Sequence, residues 1–549
     1  VLALTATRLR LALLAIVSAT ILWFGWSHFW FMTDDAFITF RYISNAQLGY
    51  GYVWNPPPFQ PVEGYTSFLW LTLLNAVWRV LGVEPPDAAN WLSYFASLVQ
   101  LSVVGLAAWR STGLAGSESQ RWFVLLVTLI GSLSNRTFLT WTSGGLETAL
   151  FQALWWGWVL CVSCRPVSIL AMSLAVATSL ARPDGLLLVP ATACLGWLQR
   201  PAGGLARAVL RLAAPLLVLF VHTAWRVSFY GDWLPNTFRA KSVGAWPEAG
   251  VRYLASFALE YGLLVWLPVV IWGWQRSSTR IAASTKVIAV TGMLHLGYYT
   301  VMIGGDHFEY RVYALWVPAI YLVLGWSLAS LRARWRFRIA LAALVIGASL
   351  PIGWTHHALT KARTTRKQTF AMFVPVEPHF PAWLGWYTKS FDQLQAWLIE
   401  RSVCRRHQEH KVFSEFFQER FPPRREGVKI SAEGFPVIAL SAVGIPAWTL
   451  PHVAIIDRNG LNDRVIGSLP PPPGMKRAMA HDRVPPPGYT DCFRPNVRVE
   501  AGRVEITVRA EPLTETQIIA CETRLWRQGE GLQRSDAPTR PDQGLESVP

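Results

Sequence analysis

SFLWLTLLNAVWRVLG, residues 67–82, decides the topology of everything that follows it. The stretch is apolar, but it is short and carries Asn75 and Arg79. A helix needs about 20 apolar residues to cross ~30 Å of hydrocarbon. A shorter stretch with polar positions suits a helix lying in the membrane interface. Around it, longer apolar segments recur near 11–31, 91–109, 122–139, 147–163, 167–181, 185–199, 206–225, 257–275, 284–303, 312–330 and 338–355. Lipid-exposed backbone must satisfy its own hydrogen bonds, so these segments read as helices.

If 67–82 lies flat, strict alternation gathers one set of loops on one side. They carry Arg110 to Arg121, Arg165, Arg200/Arg207/Arg211, Arg276/Arg280/Lys286 and Arg332/Arg334/Arg336/Arg338. These loops are short, rich in arginine and poor in carboxylates, which marks the cytoplasmic face. If 67–82 spans, every one of them flips outward against that bias. The reading is therefore a juxtamembrane helix and eleven crossings.

Bulk composition agrees. The chain has 549 residues, 52% hydrophobic and 15% charged, with 29 Trp, which excludes a soluble globule. The net charge of +16 comes from arginines dispersed among apolar spans. It reports topology first, and nucleic acid is not an expected partner. Arg8 and Arg10 precede the first apolar run, which is too long for a cleaved leader and is followed by bulky residues. It reads as a retained anchor with its N-terminus in the cytoplasm. Six cysteines are few. Cys161 and Cys164 lack the second pair or histidine cluster that a metal site needs. Among Cys404, Cys492 and Cys521 one pair could be oxidised, and sequence does not choose it.

With that topology, all the polar motifs share the extracytoplasmic face. They are DDAFITFR (34–41), SGGLET (143–148), ARPDG (181–185), FYGDWLPNTFRAK (229–241) and GGDHFEYR (304–311). Ionisable groups near membrane depth are costly and point to function. The expected organisation is a transmembrane domain over 1–355, with a first outer loop 32–90. A small extracytoplasmic α/β domain follows over 356–524, and a disordered tail over 525–549. Short runs of Val, Ile, Ala and Leu at 436–461 suggest strands.

Asp34 and Asp35 are the candidate catalytic pair. One Asp would suffice to cap the helix that follows. A carboxylate in a partly dry cleft can take a proton from a sugar hydroxyl, or attack an anomeric carbon. Arg41, Asn45, Glu63 and Tyr65 follow in the same loop. Glu147 and Asp184 sit at span ends, where helix capping and an Arg182–Asp184 pair are the bland readings. Asp306, His307, Glu309 and Arg311 form a dense cluster. One His with scattered carboxylates fixes no metal geometry, so a divalent metal is possible but not demanded. Arg41, Arg182, Arg239, Lys241 and Arg311 could hold a phosphate where negative charge develops, against simple snorkelling. Trp54, Tyr65, Trp70, Trp141 and Trp233 could stack on sugars or form the interfacial belt.

These residues carry a resemblance. The N-terminal span, paired acids, juxtamembrane helix, further spans and outer C-terminal domain resemble the GT-C class of polyprenyl-phosphate-sugar glycosyltransferases. DDAFITFRY with NP and VEGYTSFLW (34–70) is similar to the bacterial terminal arabinofuranosyltransferase family. So are GGLET, RPDG, GGDHFEYR, IIDRNGLND (455–463) and MAHDRVPPPGYTD (479–491). The resemblance runs from about 20 to 495. It implies a GT-C-like fold in the bacterial cytoplasmic membrane and transfer of a pentofuranose. The donor would be a polyprenyl-phosphate sugar, and the acceptor a cell-envelope polysaccharide or glycolipid. Asp34 and Asp35 match the acidic pair of that class. Inversion and retention both stay open, since sequence gives no distance between carboxylates. A transporter or flippase of lipid-linked sugars would instead need acids at the midplane and repeated halves. A non-catalytic envelope-assembly protein would survive loss of both aspartates.

Overall fold

The structure, a computed structural model, describes residues 2–111, 116–199, 205–241, 243–276 and 281–529. Arg200, Arg280, the side chain of Arg207 and the tail from 530 lie outside the described residues. The chain forms two compact units. The first takes Val1–Ala36, Thr66–Trp225 and Ala245–Phe413; the second takes Phe37–Tyr65, Arg226–Gly244 and Ser414–Pro549. The division does not follow the sequence boundary at 355. Residues 356–413 pack with the first unit, and part of the first outer loop packs with the second.

The first unit is a helical bundle of a multi-pass membrane protein. Among the described residues, six helical stretches are long and apolar enough to cross a bilayer: Thr7–His28, Pro85–Arg110, Leu210–Tyr230, Ala283–Ile303, Arg311–Ala329 and Trp335–Lys361. Glu118–Ser134, Thr148–Cys164, Ile169–Ala181, Leu188–Gln199 and Leu263–Gln275 are shorter runs. Together these are the eleven apolar segments expected from the sequence. Their ends sort into two groups. At one end Arg110 Nη1 donates to Cys164 Sγ at 3.1 Å, and Gln120 Nε2 donates to the Ala329 carbonyl at 3.2 Å. Trp272 meets Phe337 there. The loops that carry Arg110 to Arg121, Arg165, Arg276 and Arg332 to Arg338 therefore share one end. At the other end Phe31 pairs with Gly144, Trp141 Nε1 donates to the Glu309 carbonyl at 2.8 Å, and Phe29 packs on His357.

Helix Phe68–Leu81 is the segment that decided the topology. Its 14 residues rise ~21 Å, so length does not set it apart from the 13-residue Ile169–Ala181 and Leu263–Gln275. Its first turn is tied to the second end by Trp70 Nε1, which donates to the Gly145 carbonyl at 3.1 Å. The expected span at 257–275 needs correction. Pro247–Glu260 and Leu263–Gln275 meet at 81°, so only the second continues as that run. Gly262 makes the corner at φ 62°, where a Cβ would sit 2.9 Å from the Ala348 carbonyl oxygen. The bundle core is aromatic and aliphatic, with Trp155, Trp158, Met172, Leu188 and Leu315 all buried.

The second unit carries the expected α/β character. Strand Val437–Leu440 pairs in parallel with Ala454–Asp457 across helix Gly444–Thr449, and Val497–Glu500 pairs antiparallel with Arg503–Ile506. Phe59, Val437, Ile456, Ile466, Phe493 and Ile518 build its core. Cys492 and Cys521 form the disulfide, while Cys404 is a buried free thiol of the first unit.

Candidate active site

Two glycines begin the site. Gly144 (φ 105°) and Gly145 (φ 76°) take conformations that side-chain-bearing residues avoid. They let the GGLET turn run against the end of the first helix. Gly144 N donates to the Phe31 carbonyl and Thr33 N to the Gly144 carbonyl, both at 3.2 Å. Asn90 clamps both strands of this contact. Its Nδ2 donates to the Phe31 carbonyl at 2.8 Å, and its Oδ1 accepts from Gly145 N at 2.9 Å. A Cβ on Gly145 would come within 2.8 Å of Ala36 Cβ. The chain therefore holds Asp34 and Asp35, and then Glu147, at one end of the bundle. Both aspartates occupy the first turn of helix Asp34–Gln47, where the macrodipole favours anions. Asp34 is buried and Asp35 half-buried.

Arg182 gathers the next group. Helix Ile169–Ala181 stops because Pro183 bars the residue before it from helical geometry; Arg182 is extended at φ −155°, ψ 142°. Its Nε donates to Asp184 Oδ1 and its Nη1 to Glu147 Oε1, both at 3.1 Å. Its Nη2 donates to the Tyr299 hydroxyl at 2.7 Å. Asp184 Oδ2 in turn accepts from Tyr299 at 2.9 Å and lies 3.1 Å from His295 Nε2. Tyr299 stands in a π-helical turn, Tyr298–Ile303, a geometry that recurs at functional sites. Gly304 ends that turn and leads to Asp306. Arg311 binds Asp306 with two bonds, 2.8 Å from Nε and 3.2 Å from Nη2, and lies 4.4 Å over the Phe308 ring. Asp306 is within electrostatic reach of Arg182, and Glu147 of Arg311. Five residues singled out from sequence, Glu147, Arg182, Asp184, Asp306 and Arg311, thus form one cluster. His307 is held apart by a 2.8 Å bond from Nδ1 to the Ser402 carbonyl.

Sequence reasoning missed Asn90, His295 and Tyr299. The last two lie four residues apart within an apolar span, a spacing that puts both on one helix face. It also missed a second ionic group. Arg136 binds both oxygens of Glu309; Arg406 reaches Glu309 at 2.6 Å and Glu260 at 3.0 Å. His407 N and Tyr261 supply further donors to the two acids. All four charged residues are buried.

The other expected residues belong to the second unit, and several serve its backbone. Arg41 is fully buried and donates at 2.9 Å to the carbonyls of Trp54, Ala447, Leu450 and Val453. Asn45 donates to the Val53 and Trp54 carbonyls. Neither is placed as the phosphate or substrate ligand that the sequence suggested. Glu63 pairs with Arg226 at 2.6 Å, and Tyr65 hydroxyl meets Tyr230 hydroxyl at 3.2 Å. Burial pushes the Glu63 carboxyl up to about 7, against the pull of Arg226. Lys241 is exposed at the end of helix Asn236–Lys241. Trp54, Tyr65, Trp70 and Trp141 are buried rather than interfacial; only Trp233 of the five is exposed. In IIDRNGLND, Asp457 and Asp463 close turns: Asp457 accepts from Asn459 N and Asn462 N, and Asp463 caps Ile466 N. In MAHDRVPPPGYTD, Arg483 holds the Ala240, Leu469 and Arg239 carbonyls. Among the described residues no group of three or more His, Cys, Asp or Glu side chains is arranged to hold a metal ion.

No protein-family model matches the chain, and no curated protein matches it by sequence. Solved structures do. The crystal structure of ArnT from Cupriavidus metallidurans bound to undecaprenyl phosphate aligns with a TM-score of 0.50 and 12% identity. That alignment covers 81% of this chain and 85% of ArnT. The apo state of the same protein aligns at 0.49 and 10% identity, over 83% and 87%. The chain is thus a polytopic α-helical membrane protein with a fold similar to that of ArnT.

Proposed function

We propose that the chain is an integral-membrane glycosyltransferase that moves a sugar from a polyprenyl-phosphate donor to a cell-envelope glycan or glycolipid. The observation that carries this reading is the likeness in fold to a protein solved with undecaprenyl phosphate, in a chain whose acids and arginines gather at one bundle end. The opposite end carries the short arginine loops. By the positive-inside bias, the acidic end faces away from the cytoplasm. A pentofuranose, arabinofuranose in particular, is supported by the motif resemblance alone.

The donor lipid stays in the bilayer while its head group meets the cluster. Arg182 spends three of its five N–H groups on Asp184, Glu147 and Tyr299, and Arg311 spends two on Asp306. The carboxylates fix both guanidiniums in place, and the unspent N–H groups are donors for a phosphate. Donors fixed in advance stabilise charge that develops as the bond breaks. Arg41 drops out of this role and Lys241 stays a secondary candidate. Asp34 or Asp35 takes the proton of the acceptor hydroxyl. The acceptor oxygen bonds to the anomeric carbon, the bond from that carbon to the phosphate oxygen breaks, and the polyprenyl phosphate leaves with the electron pair. The donor brings its own activation, so no nucleotide is required.

The test is Asp34→Asn and Asp35→Asn, made separately, in purified protein given polyprenyl-phosphate pentose and a glycan acceptor. At least one variant should lose transfer. If both transfer sugar at the wild-type rate, neither carboxylate is the base. Passage of the lipid-linked sugar across vesicles with no new glycosidic bond would replace the transferase reading by transport.

A further inference from the structure

The chain between Lys361 and Ser390 returns to the bundle after its last long helix and does not enter it. One side of this strap is fixed. Val376 and Phe391 form a small core with Ile352, against which Leu259, Phe380 and Tyr387 pack. Tyr387 hydroxyl donates to the Leu259 carbonyl at 2.6 Å. The Asp392 carboxylate accepts from Val376 N at 2.9 Å and from Glu377 N at 2.9 Å. The other side is open and aromatic: Phe370 is 45% exposed, Phe373 38%, Trp383 73% and Trp386 66%. Within 361–390 the cations Lys361, Arg363, Arg366, Lys367 and Lys389 stand against one acid, Glu377; Arg366 also pairs with Glu409 of the bundle at 3.8 Å.

The attachment points set the height of the strap. Leu259 lies just before the 81° corner from which Leu263–Gln275 runs through the bundle. Ile352 lies 17 residues beyond Trp335 in the stretch Trp335–Lys361, a rise of ~26 Å. With the arginine-rich loop at the start of that stretch at one surface, Ile352 falls near the opposite edge of ~30 Å of hydrocarbon. That edge belongs to the end of the bundle that holds Asp34 and Glu147. Tryptophan favours this zone because its ring is apolar and its N–H is polar. Lysine and arginine beside it suit lipid phosphates.

We propose that residues 370–387 form a docking surface for the head-group layer of the bilayer, with Trp383 and Trp386 as its anchors. The strap then clamps the corner at Gly262 and the end of the last long helix to the membrane surface from outside the bundle. The proposal does not depend on the transferase reading.

The test uses the full chain in nanodiscs of phosphatidylcholine and phosphatidylglycerol. Cys161, Cys164 and Cys194 are replaced by Ser, and an environment-sensitive thiol dye is placed through Trp383→Cys. A second site, Trp386→Cys, stands in if the first variant misfolds. Val508→Cys, 92% exposed on the second unit, is the water-facing reference. The strap dye should emit at shorter wavelength and be quenched several-fold more by lipids spin-labelled at the head group. Water-like emission with quenching equal to the reference overturns the proposal. A blue shift that appears only when two copies share one disc, without lipid quenching, overturns it in favour of a second copy of this chain.

Discussion

Two ionic groups of the first unit are built from the same residue types and finished differently. In Arg136–Glu309–Arg406–Glu260 every carboxylate oxygen accepts from protein donors, and Arg406 faces the rings of Tyr310 and Phe391 at 5.7 and 5.6 Å. All four side chains are at most 2% exposed. Arg136 Nε and Arg406 Nε and Nη2 are also unspent there, but they are sealed from solvent; in the Glu147–Arg182–Asp184 and Asp306–Arg311 group, both arginines keep unspent N–H groups and are 11% exposed. The first group joins residues from four distant stretches of the bundle, as a scaffold does. The second keeps its spare donors within reach of solvent, as a binding site must. Burial alone does not mark function; unspent hydrogen-bonding capacity beside solvent does.

The largest expected effect would break the first group. Arg406→Ala takes the donor from Glu260 Oε2 and leaves two buried carboxylates to the one cation Arg136, which costs about 3–5 kcal/mol. Thermal unfolding in detergent should show that loss with or without substrate. A variant that unfolds as the wild type does would remove the contrast. Next is Arg182→Lys, which keeps a charge but loses the planar fork. Transfer should fall by about 10²–10³ in kcat, as when one fixed donor to a developing charge is removed. Unfolding should move less than for Arg406→Ala. Tyr299→Phe should follow with a smaller loss, since Asp184 keeps its contacts with Arg182 and His295.

The second unit sharpens the comparison with carboxyls that burial holds above their usual range, Glu63 even beside Arg226. Asp463 accepts from Ile466 N and Tyr489 hydroxyl, and burial pushes it up to about 7. Glu63 is pushed up to about 7 and Glu522 to about 8, burial leading in both. A carboxyl whose folded pKa lies above its unfolded value binds its proton more tightly when folded. Its stabilisation is full below about pH 4 and is lost as pH rises through 7 to 8. Thermal stability should therefore fall from pH 5 to pH 8, and Asp463→Asn should flatten that slope. An unchanged slope would mean that this carboxyl does not carry the dependence.

Much of this was legible in the sequence, for physical reasons. The short segment 67–82, with Asn75 and Arg79 inside it, could not cross a bilayer easily, and the arginine loops sorted by side. Once the ends were sorted, RPDG, GGLET and GGDHFEYR had to meet at one of them. Proline and glycine made those meetings readable, because each forces a turn. What stayed hidden was carried by backbone carbonyls and long separations. Nothing in the residues 447–453 announces that their carbonyls receive Arg41, so the boundary between the units was misplaced. Glu260 and Arg406 are 146 residues apart, and neither sits in a polar motif that would pair them. Asn90 looked like a loop residue at a span entrance, yet it joins the two strands that position Asp34 and Glu147.

The central claim is that the open cluster, and not the closed one, receives a lipid phosphate. Undecaprenyl phosphate should raise the thermal stability of the purified wild-type protein with increasing concentration, since a ligand that binds only the folded state stabilises it by mass action. Arg182→Gln should lose that rise, while Arg494→Gln, a half-buried arginine of the second unit, should keep it. Equal stabilisation of Arg182→Gln and wild type would contradict the account.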